Sequence, residues 1–80
     1  MTFEFKQTVP IKGRGLEFSF RRVYIPHGEK YFVSVFHNRR FYPFEIRKDS
    51  TGKWTVSDLA PDWIKEIEEP LSILIEQHLA

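Results

Sequence analysis

Hydrophobic and polar residues alternate with period two through most of residues 3–57, the signature of strands with one buried face. Phe3, Phe5, Val9 and Ile11 share one parity, with Gln7 as the polar exception. Leu16, Phe18 and Phe20 repeat the pattern, then Tyr31, Val33 and Val35, then Tyr42, Phe44 and Ile46, then Trp54 and Val56. Turn-forming clusters separate the runs: Lys12-Gly13-Arg14-Gly15, Pro26-His27-Gly28-Glu29, His37-Asn38-Arg39-Arg40 and Asp49-Ser50-Thr51-Gly52. Strands are expected at about 2–11, 16–25, 30–37, 40–48 and 53–57.

Loop length then fixes register, because faces match across a hairpin only for one parity. A two-residue loop at Asn38-Arg39 pairs Val35 with Tyr42, Val33 with Phe44 and Tyr31 with Ile46. A three-residue loop at Ser50-Thr51-Gly52 pairs Lys48 with Trp54 and Ile46 with Val56, with Gly52 in the left-handed position. Four-residue loops at 12–15 and 26–29 pair Val9 with Phe18 and Phe20 with Val35. All four loops place the same apolar set on one face, and this agreement between levels supports the fold. Arg22 is the exception, falling among Phe5, Val33 and Phe44. A bulge near Arg21-Arg22 is favoured, which would turn Val23 and Ile25 inward; the alternative is an Arg22 that snorkels out at an edge.

After residue 60 the period changes. Trp63, Ile64, Ile67, Leu71, Leu74 and His78 recur at three- and four-residue steps, predicting a helix over 61–79 that starts at Pro61. Pro70 removes a backbone donor and clashes with the preceding turn, so the helix is expected to be kinked or split there. The expected whole is a single α+β domain over 1–80. It is an antiparallel four- to five-stranded β-meander with the C-terminal helix packed on one face, over Tyr31, Val33, Phe44, Ile46 and Val56.

Composition sharpens this picture in three ways. A chain of 80 residues without cysteine has no disulfide or thiolate metal site to stabilise it, so its core must do so, and eight Phe, three Tyr and two Trp supply large buried areas. The opening MTFEFKQTVP shows no basic stretch followed by an apolar run, and nothing approaches the roughly 20 apolar residues of a membrane span. No leader, no membrane association and a cytoplasmic location are therefore expected. Finally, a net charge of +1 conceals an asymmetry: residues 1–57 carry eleven Lys/Arg against five Asp/Glu, whereas residues 58–80 carry Lys65 against six carboxylates. A solvated acidic helix over a mildly basic sheet accounts for this, and so would an interaction surface.

Candidate chemistry is sparse. His27, His37 and His78 lack metal-ligand spacing. No serine lies in a nucleophile elbow. Lys12-Gly13-Arg14-Gly15 joins two strands, whereas a phosphate cradle leads into a helix. Glu66, Glu68 and Glu69 spread around their helix. A non-enzymatic domain with no cofactor and no metal is expected.

One surface invites a functional reading. The register that buries Tyr31, Val33 and Val35 sends Phe32 and Phe36 to the opposite face, with Phe41 and Pro43 from the next strand, bordered by Arg21, Arg39, Arg40 and Arg47. An open sheet face in so small a domain should be mostly polar. Three explanations stand: the rings are covered by a curled sheet or the first strand, they contact a protein partner such as a second copy in a homodimer, or they stack the bases of a single-stranded nucleic acid with Arg on its phosphates. A small binding domain associating through this face is the expectation, with weak single-stranded nucleic-acid binding on the same face as the alternative.

The stretch Gly52-Lys53-Trp54-Thr55-Val56, followed by Pro61-Asp62-Trp63-Ile64-Lys65-Glu66-Ile67-Glu68, resembles a group of short bacterial proteins to which no activity is assigned. The similarity spans roughly residues 30–76 and rests on Trp54, Pro61, Trp63 and Ile64, which it implies are structural. The order of four strands and a helix is also similar to single-stranded nucleic-acid-binding cofactors of the transcriptional coactivator and Pur-repeat kind, a likeness of topology without a shared motif.

Overall fold

The computed structural model describes residues 4–26 and 28–79. Five strands follow one another, β1 (Glu4–Ile11), β2 (Arg14–Ile25), β3 (Gly28–His37), β4 (Arg40–Lys48) and β5 (Trp54–Val56), and pair antiparallel with their chain neighbours in one curled sheet of order β1-β2-β3-β4-β5. Two helices complete the chain, α1 (Asp62–Lys65) and α2 (Glu68–Leu79). The architecture is an α+β meander. Residues 1–3, where the first strand and its Phe3 were expected to begin, and His27 of the second turn lie outside the described residues.

Two hairpins follow the predicted register residue for residue: Val35–Tyr42, Val33–Phe44 and Tyr31–Ile46 across β3 and β4, then Ile46–Val56 and Lys48–Trp54 across β4 and β5. The other two are tighter than expected. Ile11 pairs with Arg14, so the first loop is Lys12-Gly13 alone, and Val9 faces Leu16 instead of Phe18. Ile25 pairs with Gly28, which sets Phe20 against Val33 and Phe18 against Val35. Each pairing slips by two residues, which preserves parity and therefore the buried face. Gly13 (φ 81°) makes the first tight turn possible, with Lys12 also left-handed at φ 48°.

No bulge interrupts β2. The pairing runs unbroken through Arg21–Phe32 and Arg22–Tyr31, so Val23 and Ile25 keep the outer parity. Arg22 stays on the core face near its end. It donates to Glu29 at 2.9 Å, and its guanidinium lies 4.7 Å from the centre of the Tyr24 ring. Its side chain is 17% exposed, and its Nε has no hydrogen-bond partner.

The core comprises Val9, Phe18, Phe20, Tyr31, Val33, Val35, Phe44, Ile46, Trp54 and Val56 from the strands, joined by Ala60, Ile64, Leu71 and Ile75. Rings dominate it: Phe5 stacks on Phe20 at 4.5 Å, and Tyr31 meets Trp54 edge-on at 5.5 Å. The Trp54 indole N–H donates to Glu76 at 2.7 Å, the Val56 N–H donates to the Glu68 carboxylate at 2.9 Å, and His78 stacks on Phe5 at 3.7 Å. The break between the helices falls at Glu66–Ile67, three residues ahead of Pro70. Proline is the third residue of α2, where a backbone donor has no partner inside the helix in any case.

Candidate functional site

Strand alternation places Glu4, Lys6, Ser19, Arg21, Phe32, Ser34, Phe41, Pro43, Glu45, Arg47, Thr55 and Ser57 on the face opposite the core. This outer face is not flat. The sheet curls until residues of both edge strands line one open trough of about 970 Å³, whose apolar floor is formed by Phe32, Phe41 and Pro43. Phe36 pairs with Phe41 but stands outside the trough, toward the turn at Asn38-Arg39. Exposure is 42% for Phe32, 66% for Phe36 and 62% for Phe41, so the rings are not enclosed by the rest of the chain.

The four arginines of the predicted face divide. Arg21 lies 3.9 Å from Glu4, and Arg47 lies 3.2 Å from Glu45, both on the outer face. Arg39 sits in the turn itself. Arg40 pairs with His37 and so takes the parity of Tyr42 and Phe44, the core side of the sheet. That assignment was readable from its even number beside Tyr42; its charge suggested the outer face instead.

Sequence reasoning missed two contributors. Lys30 lies on the outer face 3.4 Å from Glu45, with its ammonium 4.9 Å from the centre of the Phe32 ring. Leu59, in the connection from β5 to α1, is 97% exposed and lines the trough. Aperiodic loop residues carry no pattern that would announce such a position.

Electrostatically the outer face closes on itself. Lys6, Arg21, Lys30 and Arg47 are matched by Glu4, Glu17, Glu45 and Asp58, and the first three carboxylates are in ion pairs of 3.2–4.0 Å with those cations. Burial pushes the Glu45 carboxyl up, but the hydrogen bond from Arg47 and the charge and hydrogen bond of Lys30 outweigh it, holding the group below its usual range. Elsewhere the Tyr31 phenol is raised by burial. Among the described residues no group of three or more His, Asp or Glu is placed to hold a metal ion, and no helix is long and apolar enough to cross a membrane.

The chain matches no protein-family model, no curated protein and no solved structure. The resemblances read from residues 30–76 and from strand order thus assign no residue a role, and function has to be argued from this geometry.

Proposed function

We propose that this is a non-enzymatic interaction domain that self-associates through the trough on its outer sheet face. The observation that carries the reading is the coincidence of apolar floor and apolar knob: Phe32, Phe41 and Pro43 line the trough, and Leu59 stands almost wholly exposed at its margin. A two-fold axis brings the same patch of two copies together, so a surface carrying both a hollow and a projection can complement itself. In that arrangement Leu59 of each copy enters the trough of the other. The balanced charge supports the same reading, because a neutral face does not repel its own copy. In this reading α1 and α2 form the lid of the core face, the chain turning ahead of Pro70 so that both helices lie on it and leave the opposite face open.

A standard interface takes about 800 Å² from each partner, about one seventh of the 5750 Å² surface. A polyanion is less well served here, because Arg21 and Arg47 already neutralise Glu4 and Glu45. Sedimentation velocity at tens of micromolar tests the proposal. A dimer is expected that Leu59→Asp and the pair Phe32→Ser with Phe41→Ser each convert to monomer; a wild-type chain that stays monomeric overturns it.

A further inference from the structure

Six cations of this chain are paired, and of the six that are not paired among the described residues, Lys53 and Lys65 stand apart in the last hairpin and in α1. Lys6, Arg21, Arg22, Lys30, Arg47 and Lys48 each lie within 4.0 Å of a carboxylate. Lys12, Arg14, Arg39 and Arg40 are exposed and make no ion pair among the described residues. These four share one end of the sheet. In a meander the first and third connections lie at the same end, and the four residues occupy or flank those two connections. The hairpin tips are two strand spacings apart, roughly 10 Å. No Asp or Glu occurs in residues 10–16 or 37–44; an acidic segment approaches at α1, whose Trp63, beside Asp62, packs on His37 and Tyr42.

The backbone supplies an independent observation. Both tips are two-residue turns with positive φ at both positions, 48° and 81° at Lys12-Gly13, then 52° and 62° at Asn38-Arg39. Such turns favour Asn or Gly. Gly13 and Asn38 conform; Lys12 and Arg39 do not. A long side chain kept in the left-handed region at an exposed tip stabilises no core, and Arg39 also stands beside the like charge of Arg40. Strain of this kind points outward, to something the side chain touches beyond the fold.

We propose that this end of the sheet binds the phosphate backbone of single-stranded nucleic acid, with Lys12 and Arg39 at the tips and Arg14 and Arg40 at core-side positions on phosphates, the strand crossing the end of the sheet to stack a base on Phe36 of the outer face. Two basic tips some distance apart suit the repeated charge of a polymer better than one small anion. Phe36 is the most exposed of the three outer rings, lies one residue pair from the His37–Arg40 tip and does not line the trough, although it adjoins it through its partner Phe41. A ring reaches a base face only where the base is unpaired, which selects a single strand. The inference does not require self-association, since the four cations lie outside the trough.

Fluorescence anisotropy with a labelled oligothymidine tests it. Four phosphate contacts on a single strand give a log–log salt slope near −2.8, so binding should weaken about 50-fold between about 50 and 200 mM salt. The variant carrying Lys12→Gln, Arg14→Gln, Arg39→Gln and Arg40→Gln should lose binding while keeping the wild-type circular dichroism spectrum. Phe36→Ala should weaken binding roughly tenfold with the slope unchanged. Arg39→Gly is the sharpest arm: relieving the left-handed strain should raise the melting temperature while the slope falls by about 0.7. The proposal is overturned by absence of binding at about 50 mM salt, by a folded quadruple variant that binds like wild type, or by Arg39→Gly leaving the slope intact. Equal affinity for a duplex of the same length would overturn the single-strand assignment.

Discussion

The two faces of this sheet are made by the same strands and the same alternation, yet their rings behave in opposite ways. On the core face Phe18, Phe20, Tyr31 and Trp54 are buried against one another. On the outer face Phe32, Phe36 and Phe41 stand in solvent, and the charges around them are paired, across strands at Arg21–Glu4 and Lys30–Glu45 and along β4 at Arg47–Glu45. Folding requires the first set because removing large apolar areas from water is the main favourable term available to so small a chain. It gains little from the second. In the proposed reading the aromatic residues on the outer face serve contacts outside the chain.

The largest expected effect tests that division directly. Phe20→Ala removes a ring stacked on Phe5 and edge-on to Tyr31, and should cost about 3–5 kcal/mol. At roughly 0.1 kcal/mol of stability per residue, that is a large share of what the domain has. Phe36→Ala on the outer face should stay within about 0.5 kcal/mol. Urea midpoints measure both, and equal costs would erase the distinction between the faces.

Arg22 is where the core face departs from its own pattern, and it marks the limit of what the sequence discloses. Parity placed the described members of the alternating apolar set on one face and gave two hairpin registers residue for residue, while the favoured bulge at Arg21-Arg22 is absent. A slip of two residues leaves parity unchanged, so alternation could not separate two-residue from four-residue loops at Lys12-Gly13 and before Gly28. The longer loop set Arg22 opposite Val33, mid-sheet, where a bulge is favoured over an Arg22 that snorkels out at an edge. In the structure it lies opposite Tyr31 and beside Glu29, which pairs with it. Glu29→Ala leaves that largely buried guanidinium without its carboxylate and should cost about 1–2 kcal/mol, whereas Arg22→Met combined with Glu29→Gln should be neutral or stabilising. Chemical denaturation of the single and double variants decides it; a double variant less stable than the single one would show that the pair itself holds the end of the face.

Replacing Phe32 and Phe41 by Ser should leave monomer stability within about 0.5 kcal/mol while abolishing the dimer in sedimentation. A loss of several kcal/mol instead would make the outer rings part of the core. The three Phe were legible in the sequence, because period two sends them outward. The neutralisation of Arg21 and Arg47 was not. It depends on Glu4 lying across from Arg21, a pairing that the two-residue slip hides, and on Glu45 being shared between Arg47 and Lys30. Lys12 and Arg39 were legible as turn residues, and Arg39 already in a two-residue loop, but the left-handed backbone of Lys12 emerged only with the tight first loop.

The smallest effect concerns Glu45, the carboxylate that ties Lys30 and Arg47 together on the outer face. Burial raises its pKa, yet the hydrogen bond from Arg47 and the charge of Lys30 lower it further, so the folded value lies below the unfolded one. A depressed carboxylate contributes stability that is fully present above its unfolded pKa, about 4.3, and is lost as pH falls through the folded value. Wild type should therefore exceed Glu45→Gln slightly in stability at neutral pH, with the gap closing on the acid side below about pH 4.3. Salt should shrink the gap at every pH, since the carboxylate is about one third exposed and such pairs are screened. Thermal melts of both chains across pH 3–7 would show it. A gap that widened toward acid would mean that Glu45 is held protonated in the folded state, and that the outer-face cations are free after all to meet a polyanion.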